Sequence, residues 1–516
     1  MTANPGTPTE ASPLLPETQQ PERPSATSRF HVTTPRNIVL LLALNILILA
    51  SAGGLTVVPQ TRLLEDIFCH RYYGDIKGLS DIDESLCKID SIQSELAYVN
   101  GLTTAVEAVV GLTFAFPFGI LADKIGRKPV YMISMIGTTL YLVSTMVVIR
   151  FWRIIPVHLV IFCSIFQIIG GGTQVLLAVL YSIAADVESS ANRASAFFLL
   201  ALASFIGNLL GPLVSSMMME VVSPWVPLLS AIALVPIGVS TFIFIPETLR
   251  KKDNDDDDDD DALQDSPSAM SSVISHFWHT LTQLSESFSM LKSPSLTIIL
   301  FSFVVQMSLF FGKSTFFIQY FSKRFQWTLA KTGYLLSYRG IISVAVLVFI
   351  LPGISKLLLS PNLRFRFSAA KKDLVLAQSS AVLMMLGYFC MGGPTVPIVF
   401  VGIIVATLGD GLAPLCRSLL TAYIDPQHTS RIYVLVGIVE ALGSMYAGPA
   451  LATFFTVGMR WKGLWLGLPY FWLAFQCSLV AFGLCFVNLR SAIVGKSTES
   501  EEEQESLVPR EEDARV

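Results

Sequence analysis

The sequence predicts an all-helical membrane protein of about twelve transmembrane spans, arranged as two bundles of six. Three observations predict this: scarce charge, long apolar runs and a partial repeat between the halves. Of 516 residues, 52% are hydrophobic and 14% charged, against about 25% charged in soluble domains. A hydrocarbon core about 30 Å thick takes roughly 20 apolar residues per helix. Such windows lie at 37–59, 96–120, 129–149, 156–185, 194–219, 224–246, 295–321, 330–352, 373–392, 396–423, 432–457 and 464–488. The links between them leave no room for a soluble domain. The first run follows a polar, Pro-rich stretch, so no cleavable signal peptide is expected.

The repeat pairs span five with span eleven. AADVESSANRASAFFLLALASFIGNLLGP ends at Pro212 and YIDPQHTSRIYVLVGIVEALGSMYAGP at Pro449. In each, an acid (Asp186, Asp425) precedes a base (Arg193, Arg431), and a Gly-Pro follows. A weaker echo sets FPFGILADKIG against ILPGISKLLLS, with Lys356 in place of the acid. The expected organisation is a disordered cytosolic tail 1–35, a first bundle 36–248, an acidic linker 249–293, a second bundle 294–490 and an acidic tail 491–516.

Within the linker, RKKDNDDDDDDD cannot pack. It reads as solvated chain rather than a cation site, because nothing fixes ligand geometry around Asp255 to Asp261. Val273, Phe277, Trp278, Leu281, Leu284, Phe288 and Leu291 then recur at helical spacing, which predicts a helix lying on the membrane surface. His276 and His279 fall on it with no cysteine or acid arranged as a metal set. With both termini cytosolic, Lys124, Arg127, Lys128, Arg193, Arg250, Lys252, Lys356, Arg364, Arg366, Lys371 and Lys372 all lie on the inner side, as the positive-inside rule requires. The outer loop, 60–95, is acidic, and contains the cysteine pair Cys69 and Cys87. A disulfide and free thiols both remain open for that pair; the other five cysteines lie in spans, as buried thiols. Glu10, Leu14 and Leu15 fit an acidic dileucine signal read by a sorting adaptor, which sets a vacuolar or lysosome-like membrane beside the plasma membrane as the address.

Between spans two and three, GILADKIGRKP (119–129) is similar to the Gly-x-x-x-Asp-x-x-Gly-Arg-Lys/Arg loop signature of the major facilitator superfamily. The resemblance extends over all twelve spans through the six-plus-six repeat. GGLTVVP in span one and Gly207-Asn-Leu-Leu-Gly211-Pro212 in span five also resemble family motifs, whereas the usual base of the span-four motif is missing before Gly170. The resemblance implies two halves that rock around a midplane substrate site. It implies a gating loop in which Gly119 and Gly126 allow a tight path and Asp123 meets the N-terminal end of span eleven near Arg431. The helix dipole there favours an anion by about 0.3–1 kcal/mol. Arg127 is expected to pair with Asp186, and Lys128 completes the loop's charges; the plainer alternative is that these are positive-inside anchors. Gly207, Gly211 and Pro212, echoed by Gly448 and Pro449, read as close helix packing, although the family associates the first set with antiporters.

Charges inside spans point to the solute path, since each costs at least about 2.5–3.5 kcal/mol at mid-bilayer and is retained for a use. They are Glu107, Arg339, Asp410 and Glu440, with Lys313 and Arg417 nearer the span ends, where snorkelling competes. Asn45, Gln167, Gln174, Gln306 and Gln319 offer uncharged groups to the same cavity. Glu440 and Asp410 with Arg339 form the expected proton-coupling set, Glu107 standing second; static ion pairs between the halves are the structural alternative. No nucleotide-binding loop, metal set or catalytic signature is present, so neither a cofactor nor an enzyme activity is expected. The expected function is gradient-driven transport of a small organic solute, with protons as the coupled partner, no nucleic acid and a monomeric chain. An uncoupled facilitator or a non-transporting sensor on the same fold is the alternative.

Overall fold

The computed structural model describes residues 34–74, 83–189, 192–248, 294–358, 369–422 and 429–487. The dileucine stretch, the acidic run, the surface helix of the linker, Asp425 and both tails lie outside the described residues. Among those described, twelve helices are long and apolar enough to cross a membrane. They are α1 (Pro35–Tyr73), α2 (Asp90–Ile125), α3 (Arg127–Arg150), α4 (Val157–Val187), α5 (Ser195–Val221), α6 (Trp225–Ile243), α7 (Pro294–Lys313), α8 (Leu329–Ser355), α9 (Lys371–Met391), α10 (Val396–Leu420), α11 (Leu435–Trp461) and α12 (Gly463–Cys485).

Their apolar faces bury into separate cores. Leu42, Tyr131, Leu180 and Phe242 belong to one, Leu64, Phe68, Leu96 and Ile149 to a second in the same half, and Phe303, Phe317, Tyr388, Phe455 and Tyr470 to the core of the other half. The result is two six-helix bundles. Asn45, expected to face a solute, instead fastens the first bundle. It donates to the Gly238 carbonyl at 2.7 Å and accepts from the Tyr131 hydroxyl at 2.7 Å, because a buried amide is held only where it is hydrogen-bonded.

Two helices are longer than their hydropathy predicts. Helix α1 continues to Tyr73 and α2 begins at Asp90, so most of the expected outer loop 60–95 is helical. At 1.5 Å per residue, α1 is about twice as long as the hydrocarbon is thick. Its polar extension persists because its charges are paired: Arg62 lies 3.2 Å from Glu84, and Lys88 lies 2.7 Å from Glu65. A disulfide joins Cys69 on α1 to Cys87 in the short turn Glu84–Cys87. Asp83 caps that turn by accepting from the Ser85 N–H at 3.0 Å, a bond that holds its carboxyl below the usual carboxylate range.

Helix α4 is interrupted at Gly170, Gly171 and Gly172, whose φ values of 94°, 75° and 70° no ordinary side chain adopts comfortably. A Cβ on Gly170 would meet the Ser134 backbone at 2.3 Å, so the break doubles as a close contact with α3.

Candidate functional site

The charges predicted inside spans separate into groups. In the second bundle, Asp410 sits between two cations: Lys313 donates to one carboxylate oxygen, and Arg339 lies 3.4 Å from the other. Ser343 donates to that second oxygen at 2.8 Å, and Arg339 donates to the Lys313 carbonyl at 3.1 Å. Only 6% of the Asp410 side chain is exposed, against 16% and 19% for Lys313 and Arg339.

Three helices are irregular where they meet this cluster. Helix α7 ends at Lys313, and a separate helix, Thr315–Phe325, follows. Helix α8 contains a π-turn at Val346–Ile350, shortly after Ser343. Helix α10 breaks at residues 409–411, leaving Asp410 in a turn between two helical segments. Such breaks free carbonyls to hold side chains at membrane depth, as Lys313 does for Arg339.

Two expectations change here. Of the expected coupling set, Arg339 stands with Asp410, whereas Glu440 pairs at 2.7 Å with Arg417, whose side chain is 50% exposed. Lys313 does not snorkel, because Asp410 supplies a counter-charge at its own depth. Glu107 lies apart in the first bundle, beside Tyr141, which also neighbours Gln60. Gln306 is buried with its amide nitrogen unpartnered, and Gln174 packs beside Gly111.

Contacts between the bundles gather at the end bearing the disulfide. Lys323 reaches across to Asp90 at 2.6 Å and to the Lys88 carbonyl. Glu84 accepts from the Leu329 N–H at 2.7 Å. Gln319, another residue expected to line a cavity, donates to the Gln93 carbonyl at 2.6 Å. The Ser94 and Thr456 hydroxyls meet at 2.7 Å, and Tyr334 donates to Glu220 at 2.9 Å. Where α2 crosses α11, a Cβ on Gly101 would stand 2.7 Å from the Gly448 backbone. The Gly207–Gly211 face instead packs inside its own bundle on α1, a Cβ on Gly211 meeting Gly54 at 2.7 Å. The repeated Gly-Pro therefore serves two interfaces.

At the opposite end the loop charges bind within the first bundle. Arg127 pairs with Asp186 at 2.8 Å, and Glu247 accepts from the N–H groups of Arg127 and Lys128 at 3.1 and 3.0 Å, capping α3 from a distance. Gly126, at φ 109°, makes the turn, whereas Gly119 lies within α2 with open space around it and forms no tight path. Asp123 is 71% exposed and 4.0 Å from Arg127. The side chain of Arg431, its expected neighbour, lies outside the described residues.

The family model for the Major Facilitator Superfamily matches residues 92–447. The MFS-type transporter aprT of Aspergillus flavus is 28% identical over 488 residues, covering 93% of this chain and 94% of that one. The MFS efflux pump atnC of Emericella nidulans is 28% identical over 499 residues, covering 93% of each. Among solved structures, a D-xylose-proton symporter superposes with a TM-score of 0.63 at 13% identity, over 89% of this chain and 99% of the other. The human organic anion transporter MFSD10 superposes at 0.55 with 16% identity, over 88% and 100%. These family and relative names are those of transporters and pumps, not enzymes. The family match runs through both bundles and across most of the length, and the chain belongs to the Major Facilitator Superfamily.

Proposed function

We propose that this integral, multi-pass membrane transporter moves a small organic solute by alternating access, with proton movement coupled at Asp410. The observation that carries the reading is the closure at the disulfide end, seen among the described residues. Lys323, Glu84, Gln319 and Gly448 tie the bundles together at the disulfide end. Arg127 and Glu247, at the other end, bind within one bundle. With the basic loops and both termini cytosolic, this is an inward-facing state of a monomer. Asp123 then engages α11 when that side shuts.

The coupling site follows from the charge environment. Lys313 and Arg339 offset the charge of Asp410 while they stay close, and rocking that draws α7 or α8 away removes that offset. Glu107 serves as a second acid in the first bundle. Glu440 and the half-exposed Arg417 flank the path as a pair.

The test is uptake by the purified chain in proteoliposomes, using labelled organic solutes with and without an imposed pH difference. Accumulation of a solute only with the pH difference is the expected result. Equilibration without accumulation assigns an uncoupled facilitator, and absence of flux across the set a sensor.

A further inference from the structure

A small cavity in the second bundle adjoins the Asp410 cluster. It holds about one water-sized sphere, ≈10 Å³, and its lining includes Lys313, Arg339, Tyr388 and Thr407 among apolar side chains. Its charge does not balance. Asp410 offsets one cation, and no second carboxylate among the described residues lies within ion-pair distance of Lys313 or Arg339. A buried charge without a partner is costly.

The hydrogen-bonding groups are also one-sided. The Tyr388 side chain is 1% exposed, and its hydroxyl has no partner. An ammonium carries three donors, of which Asp410 takes one from Lys313. Thr407 has already committed its proton to the Ile403 carbonyl at 2.6 Å. A water in this space satisfies some of these donors and leaves the net positive charge; a singly charged acceptor satisfies the donors and cancels the charge.

We infer that this cavity is an anion site, in which Lys313, Arg339 and the Tyr388 hydroxyl hold one negative charge. A halide and the carboxylate end of a solute share that chemistry. The cations retain more exposure than Asp410, which leaves them a side on which to receive it. The inference goes beyond the proton-coupling reading, and equilibrium binding tests it without any flux, so either can fail alone.

The experiment follows thermal unfolding of the purified full chain in detergent, in sodium methanesulfonate at constant ionic strength, as chloride or acetate replaces the background anion. A saturable rise in Tm is expected from an anion that binds the folded state. A rise with chloride but not acetate assigns a halide, a rise with acetate but not chloride assigns a solute carboxylate, and a rise with both assigns a site open to either. No rise with either anion overturns the inference and leaves water in the cavity. Asp410→Asn removes the competing negative charge and should lower the half-saturating concentration about tenfold or more, a direction opposite to nonspecific damage. Tyr388→Phe should raise it severalfold. An unchanged half-saturation in both variants puts the anion elsewhere and overturns the assignment.

Discussion

Two buried charge networks in this protein use the same residue types and differ in their sum. At the disulfide end, Glu65 and Glu84 share Lys88 and Arg62, with separations of 2.7 Å for Lys88–Glu65, 2.9 Å for Lys88–Glu84 and 3.2 Å for Arg62–Glu84. Gln93 donates to Glu65 and to the Lys88 neighbour's carbonyl at Cys87. Two buried acids meet two buried cations, and the more exposed Asp66 lies 3.7 Å from Arg62 at the edge of the set. At the middle of the second bundle one acid, Asp410, meets two cations. A balanced network can serve as a fixed strap, because nothing need enter or leave for it to stay buried. An unbalanced one is completed by a charge that comes and goes, which is the property a coupling site requires.

If the balanced network is a strap, breaking it costs stability first. Glu65→Gln leaves Lys88 buried with one carboxylate fewer, and should lower stability by about 3–5 kcal/mol. The double variant Glu65→Gln with Lys88→Met should recover most of it, which thermal unfolding reads directly. An undiminished Tm in Glu65→Gln would remove the strap from the account. Replacing Cys69 and Cys87 by serine should cost about 3 kcal/mol on the chain-entropy argument for a loop of this size, with transport per folded molecule kept. A stability unchanged by that double variant would show the turn to be held by its ion pairs alone.

Smaller effects should come from the contacts that tie the strap to the second bundle. Lys323→Ala removes the reach to Asp90, so a cysteine placed at Ser94 should react severalfold faster with a membrane-impermeant maleimide. Equal labelling rates would mean that the closure rests on the Gly101–Gly448 crossing instead. The smallest effect is expected at Glu440. Its partner Arg417 is half exposed, and such pairs contribute about 0–1 kcal/mol. Glu440→Gln should leave accumulation of solute largely intact, and its loss would move the coupling site to α11.

The same contrast explains what the sequence makes legible. Apolar runs announce twelve spans because the bilayer sets their length. Lys313, Arg339 and Asp410 stand out because charge is expensive there. Asp410 and Arg339 are legible as a set, but the place of Lys313 beside them is not: it depends on the breaks after Lys313 and around Asp410, and the only local sign is the glycine on each side of Asp410. Glu65 and Lys88 are hidden for the opposite reason. They fall in a stretch that reads as loop, where charge is cheap, and only the helical extension of α1 buries them. Glu247 falls just past the expected end of span six and is unmarked in the sequence, since its role depends on two N–H groups more than a hundred residues earlier. The Gly-Pro repeat predicts close packing but not the partner, and the two copies choose different ones.

The most direct test of coupling at the unbalanced cluster uses Asp410→Asn in proteoliposomes with a solute that the parent accumulates. Asparagine keeps the size of the side chain and one accepting oxygen, turns the other oxygen into a donor, and cannot carry a proton. The variant is expected to exchange labelled solute at equal concentrations, at a rate comparable to the parent, while an imposed pH difference drives no accumulation and an internal pH dye reports no solute-dependent proton movement. Accumulation equal to the parent, with proton movement intact, would contradict the account.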